Sequence, residues 1–279
     1  MNKCPYLHEI SNMEILGYLA AIVIGISLGL IGGGGSILTV PVLVYLFGVN
    51  PVLATAYSLF IVGTTSLFGA IPKYRQGLVN LKTAAIFGLP AIAAVYATRK
   101  WLIPFIPDHI FTIAGFEVTK SIMLMLLFAV LMVFASISMI REKPETTSNQ
   151  DPAVKQKFNY PMILIEGLVV GTLTGLVGAG GGFLIIPALV LFSKLPMKMA
   201  VGTSLLIITA KSLVGFLGDL SHYTMDWKLL LIVTALAVVG ILIGNKLSHK
   251  ISSAALKKGF GWFVLVMGTY IIVKELFLN

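Results

Sequence analysis

The chain has 279 residues, of which 57% are hydrophobic and only 11% charged, with a mean hydropathy of +0.97, a formal net charge of +9 and a single cysteine. That balance excludes an ordinary soluble domain, and Cys4 standing alone excludes an internal disulfide or a thiolate metal cluster. The basic excess is not gathered into one domain, so nothing points to a nucleic-acid partner.

The opening stretch MNKCPYLHEISNME carries acidic residues and no small-residue cleavage site, so the first apolar span is expected to remain in the protein. Spans of bilayer length, which takes about 20 helical residues, are expected near 14–31, 51–71, 82–98, 121–140, 162–177, 199–218, 228–245 and 260–273. Two shorter apolar runs, 36–47 and 183–192, reach only about 15 to 18 Å as helices, against a hydrocarbon core of about 30 Å. They read as half-helices. Between two of the spans, RKWLIPFIPDHIF has two prolines and alternating apolar residues, and reads as an interfacial segment. Trp101, Phe105, Trp227 and Trp262 suit an aromatic belt.

Each short run follows a glycine cluster: GLIGGGGSILTVP from Gly29 to Pro41, and GLVGAGGGFLIIP from Gly175 to Pro187. An interior glycine costs a helix about 1 kcal/mol relative to alanine, so the clusters read as deliberate breaks. Displacing the sequence so that Gly25 falls on Gly171 also superimposes Gly29 on Gly175, Gly34 on Gly180, Gly35 on Gly181, Pro41 on Pro187, Ser58 on Ser204, Ser66 on Ser212 and Gly69 on Gly215. Roughly 18 of the 58 aligned positions from Gly25 to Lys82 are identical. The chain is therefore expected to be an all-α polytopic membrane protein of two homologous halves, residues 1–140 and 162–279, joined by a polar, proline-bearing linker at 141–161.

The basic residues bear on how the halves are oriented. If the short runs cross the membrane, each half has five spans and the second is inverted. One side then collects Lys73, Arg75, Lys82, Arg141, Lys143, Lys155, Lys157, Lys194, Lys198, Lys246, Lys250, Lys257 and Lys258, and the other Lys3, Arg99, Lys100, Lys120, Lys228 and Lys274. If the short runs re-enter, the basic residues split almost evenly. The positive-inside rule favours the first arrangement, with the linker in the cytoplasm and both termini outside.

Inverted halves with broken helices are one way to build a carrier. A helix that starts inside the membrane presents free N–H groups and a partial positive charge, and glycine lets an anion approach them. Candidate substrate-binding positions are thus Gly34, Gly35 and Ser36 in the first half and Gly180, Gly181 and Gly182 in the second. Gly25 with Gly29, and Gly171 with Gly175, have the GxxxG spacing of close helix packing instead. Lys211 lies mid-way along an apolar run, where a lysine costs about 2.5 to 3.5 kcal/mol, and is expected to face the site with Ser212. Thr64, Thr65 and Ser66 are the counterparts across the repeat, while Ser58, Thr203 and Ser204 lie two turns earlier. A salt-bridged structural lysine is the competing account, with Glu166 and Asp219 as partners. His222, aligned with Gln76, could relay a coupling proton.

The doubled motif, with ATAYSL and AVGTSL after it, resembles the TauE/SafE, or sulfite exporter, family over most of the chain. The resemblance implies a carrier in the cell membrane for sulfur-containing oxyanions such as sulfite or organosulfonates, in many cases exported. The second-half pattern matches at Gly202, Thr203 and Ser204, whereas Tyr57 replaces the threonine expected in the first half, which bears on substrate size. A channel or carrier for a small carboxylate or inorganic anion is the alternative. No catalytic set, metal site or cofactor motif occurs: HExxH, GxGD order and GxxxxGK[ST] are all missing. The expected partners are a small anion, a coupling proton and membrane lipid, with a homodimer one open oligomeric state.

Overall fold

The computed structural model describes residues 5–113, 116–141, 160–191, 193, 195–248 and 253–277; Cys4 and nearly all of the linker lie outside them. It is a helical bundle. α1 (Pro5–Ile31) ends at the first glycine cluster, and a 3-10 turn at Gly34–Leu38 leads into α2 (Thr39–Tyr45). α3 (Pro51–Arg75) and α4 (Leu81–Ala97) follow, then a π-helical turn at Thr98–Leu102 and the short α5 (Ile103–Phe105). α6 (Lys120–Arg141) closes the first half. The second half repeats the order with α7 (Tyr160–Val177), α8 (Gly182–Leu191), α9 (Met197–Asp219), α10 (Trp227–Leu247) and α11 (Ser253–Phe277). Among the described residues, six helices are long and apolar enough to cross a membrane, and Gly35–Tyr45 and Met162–Val177 form shorter apolar helices. The protein is a multi-pass integral membrane protein.

The segment after α5 is not merely an interfacial stretch: His109–Ile113 (β1) pairs antiparallel with Phe116–Thr119 (β2), with an irregularity between His109 and Phe111. Pro104 and Pro107 cannot donate ladder hydrogen bonds, so the hairpin begins only beyond them. Lys120 then ties the hairpin back, donating to the Ile106 carbonyl at 3.1 Å and lying 3.2 Å from Asp108.

The glycines set which helices touch. On α1, Gly25 packs on the backbone of Ala237 and Gly29 on that of Ile241, so α1 and α10 run parallel with no room for a Cβ between them. Gly167, Gly171 and Gly175 of α7 meet Phe87, Ala91 and Thr98 in the same way along α4. The GxxxG positions thus pack helices, as their spacing indicated. α3 and α9, which the sequence repeat superimposes, cross the centre side by side in opposite directions: Gly63 faces Leu213, Gly69 faces Leu205, and the Phe60 ring lies tilted against Phe216 at 5.0 Å.

Contacts recur in repeat-related pairs. Gly32 against Val201 has its counterpart in Gly178 against Thr55, and Gly69 against Ile241 in Gly215 against Val95. The N-caps follow suit. Asn80 caps α4 through Thr83 N–H, and its own N–H donates to Thr203 Oγ1 at 3.0 Å; Asp226 caps α10 through Leu229 N–H, and its N–H donates to the Tyr57 hydroxyl at 2.5 Å. Tyr57 therefore stands where the other half has Thr203, doing the same job. Two ends of the bundle result: a hairpin end with Asn50, Asp108 and Tyr223, and a linker end with Arg75, Leu78, Arg141 and Leu247.

Candidate functional site

The two breaks meet in the interior. After α1, Gly32 and Gly33 take φ of 79° and 154°, which only glycine adopts readily, and turn the chain back along α1. Gly178, Gly180 and Gly181 do the same after α7, with φ of 72°, 63° and 68°. The turned-back segments arrive tip to tip: a side chain at either Gly33 or Gly182 would run into the backbone of the other. Gly180 lies against Val62 and the Ser36 Cβ. No open space separates the tips in this conformation.

The candidate residues divide accordingly. Gly35 packs on Ile24, Ser27 and Leu28 of α1, so its lack of a side chain serves helix packing. Ser36, fully buried, spends its hydroxyl on the Gly33 carbonyl at 2.7 Å. Gly34 belongs to the same 3-10 turn. Thr203 and Ser204 are committed to structure, Thr203 to Asn80 and Ser204 to the carbonyls of Val201 at 2.8 Å and Gly32 at 3.3 Å. Ser58, Thr65 and Ser66 on α3 and Ser212 on α9 are buried hydroxyls without a hydrogen-bond partner, and Thr64 is half-buried beside them in sequence. Unsatisfied buried hydroxyls on the two central helices are costly unless something else bonds them.

Lys211 reaches the second break. Its side chain is fully buried and Nζ donates to Thr174 Oγ1 at 2.7 Å. A Cβ on Gly181 would lie 2.8 Å from that Nζ, so the ammonium sits at the start of α8, where the Gly181 carbonyl accepts from Leu184 and Ile185. Ammonium and helix N-terminus are both positive. Asp219, weighed from sequence as its salt-bridge partner, is engaged elsewhere: it lies 3.4 Å from Arg99 Nη1. Among the described residues no carboxylate forms an ion pair with Lys211.

Arg99 itself is the residue that sequence reasoning misplaced. Counted there among the solvent-side basic residues, it is fully buried, donating from Nη1 to Thr55 Oγ1 at 2.9 Å. The signal was available in the GDL of Asp219, an acid that ends an apolar helix, but the sequence does not say which cation answers it. Close by, burial and the neighbouring Asp219 push the Tyr223 phenol above its ordinary value.

A profile of the family described as "Sulfite exporter TauE/SafE" matches residues 17–271. The chain belongs to that family. A probable membrane transporter protein of Xylella fastidiosa (strain 9a5c) is 28% identical over 255 residues, 90% of this chain and 92% of the relative. The probable membrane transporter protein YdhB of Bacillus subtilis (strain 168) is 27% identical over 86% of this chain and 92% of its own length. MJ0441 of Methanocaldococcus jannaschii, named likewise, is 32% identical over 42% of this chain and 48% of its own. No solved structure matches. This TauE/SafE member is thus a membrane transporter of the cell membrane, and its two glycine breaks fall well inside the matched span.

Proposed function

We propose that this TauE/SafE member is a secondary carrier that exports a sulfur-containing oxyanion such as sulfite or an organosulfonate, binding it between Lys211 and the start of α8. The observation that carries this reading is an ammonium and a helix N-terminus converging in the interior without an ion-paired carboxylate. Such a pairing is repulsive until an anion joins it. Ser212 and, across the interface, Thr65 and Ser66 supply free hydroxyls for its remaining oxygens.

Support for a carrier rather than a channel comes from the closed tips. Gly33 and Gly182 leave no path between them, so an anion enters only when the two breaks move apart and its passage needs an alternation of conformations. The antiparallel crossing of α3 and α9 supports an inverted relation of the halves across the bilayer. The family's description as sulfite exporter supports the substrate class and the direction.

The test is flux in proteoliposomes of the purified chain with sulfite, sulfate, sulfoacetate and acetate. Saturable movement of the sulfur oxyanions with acetate excluded is expected. Acetate carried as well as sulfite removes the sulfur specificity.

A further inference from the structure

At the hairpin end a second charged group lies buried, unlike anything among the described residues of the linker end. Arg99 and Asp219 are both wholly enclosed, yet neither is saturated: Arg99 Nε and Nη2 and both Asp219 oxygens lack a hydrogen-bond partner. Their 3.4 Å separation exceeds the roughly 2.7 to 2.9 Å of a charge-assisted hydrogen bond. Thr55, which accepts from Arg99, bonds in turn to the Val52 carbonyl at 2.6 Å. Val52 and Tyr223 line a cavity of about 400 Å³ shared with Asn50, Asp108, Thr119 and Lys120. The repeat places Asn245 where Arg99 stands and Lys73 where Asp219 stands, so the linker end has no such pair. The guanidinium therefore sits just beneath a polar vestibule with two donors unused.

We propose that Arg99 is a second anion-binding residue, which holds the transported anion beneath the vestibule in exchange for Asp219 when Asp219 accepts a proton. The exchange balances: a hydronium ion gives its proton to the Asp219 carboxylate and leaves as water, the anion takes the carboxylate's place on the guanidinium, and the buried site stays neutral. The groups facing Asp219 are Arg99 from the π-helical turn after α4, and His222 and Tyr223 from the loop after α9, with Asp108 beyond Tyr223. Arg99 presents a planar fork suited to two oxygens of one oxyanion. This inference rests on the reading of the protein as an anion carrier.

The probe is ethanesulfonate, whose single charge is constant between about pH 5 and 8, titrated against the full chain in detergent. In the unaltered protein the affinity is expected to rise as pH falls, by up to about tenfold per unit where one proton is taken up per anion. In a Lys211→Met background, which isolates the second site, Asp219→Asn is expected to bind with little pH dependence, and Arg99→Gln at least about tenfold more weakly at pH 5. Lys211→Met keeps the pH slope. Because Asp219→Asn strands a buried cation, the paired variant R99Q/D219N, with two neutral hydrogen-bonding side chains, settles the matter if the single variant does not fold: it should bind weakly with a flat profile. A slope like that of the unaltered protein in either Asp219 variant, or undiminished affinity in Arg99→Gln, overturns the inference and leaves the carrier reading standing. An unaltered protein that neither binds nor carries ethanesulfonate, sulfite or acetate overturns both.

Discussion

At the scale of single residues, Lys211 is held by one neutral acceptor, the Thr174 hydroxyl, and has no ion-paired carboxylate among the described residues. A charged hydrogen bond contributes about 1.5 to 3 kcal/mol, which corresponds to roughly 10- to 150-fold in affinity. Lys211→Met, close in length and without charge, is therefore expected to lower sulfite flux in proteoliposomes by at least about tenfold while the protein still inserts and migrates as a single species in detergent. Unchanged flux would remove Lys211 from the mechanism. Lys211 could be found from sequence because a lysine flanked by apolar residues on both sides has no solvent to reach. Arg99 could not. It stands next to Lys100 at the border of an apolar run, where a basic residue ordinarily faces the headgroups, and only the π-helical turn at Thr98–Leu102 directs it inward against Asp219.

Elements were legible wherever backbone chemistry forces the outcome. Four glycines in a row end α1, and the positive φ values at Gly32 and Gly33 show the reversal that no other residue tolerates well. What the tips then do depends on tertiary packing: glycine-lined helix starts are expected to leave room for an anion, whereas Gly33 and Gly182 close directly on each other. Gly182→Ala tests that closure. Its Cβ collides with the Gly33 backbone, so the variant should lose about 1 to 3 kcal/mol of stability by overpacking, seen as a lower melting temperature in detergent, and should shift toward the parted conformation. A native melting temperature would mean the tips are not in contact. The N-caps give a gentler prediction. Asp226→Ala removes the acceptor for Leu229 N–H and Asn80→Ala that for Thr83 N–H, and each should cost about 1 kcal/mol, with similar losses because the repeat gives them equivalent places. A large loss in one and none in the other would contradict that equivalence.

For the whole molecule, the decisive question is which end of the bundle faces the cytoplasm. α2 runs back beside α1, with the Phe47 ring edge-on to Tyr18 at 5.2 Å, and α3 then starts at the hairpin end. The α1–α2 pair therefore starts and finishes at the same end, which fixes the ends of the later helices without counting the short helix as a full pass. On that path the described basic residues Lys73, Arg75, Lys82, Arg141, Lys198, Lys246, Lys257 and Lys258 gather at the linker end, with Lys100, Lys120, Lys228, Lys274 and the buried Arg99 at the hairpin end. Charge of this asymmetry orients a chain with its richer end inward. In a Cys4→Ser background, Phe105→Cys and Lys228→Cys should react with a membrane-impermeant maleimide on intact cells. Lys246→Cys and Arg75→Cys should react only after permeabilisation. Labelling of Lys246→Cys and Arg75→Cys on intact cells, with none at Phe105→Cys and Lys228→Cys, would reverse the orientation. That reversal would put the Arg99–Asp219 pair on the cytoplasmic side, making it the point where the anion is loaded and not where it is released.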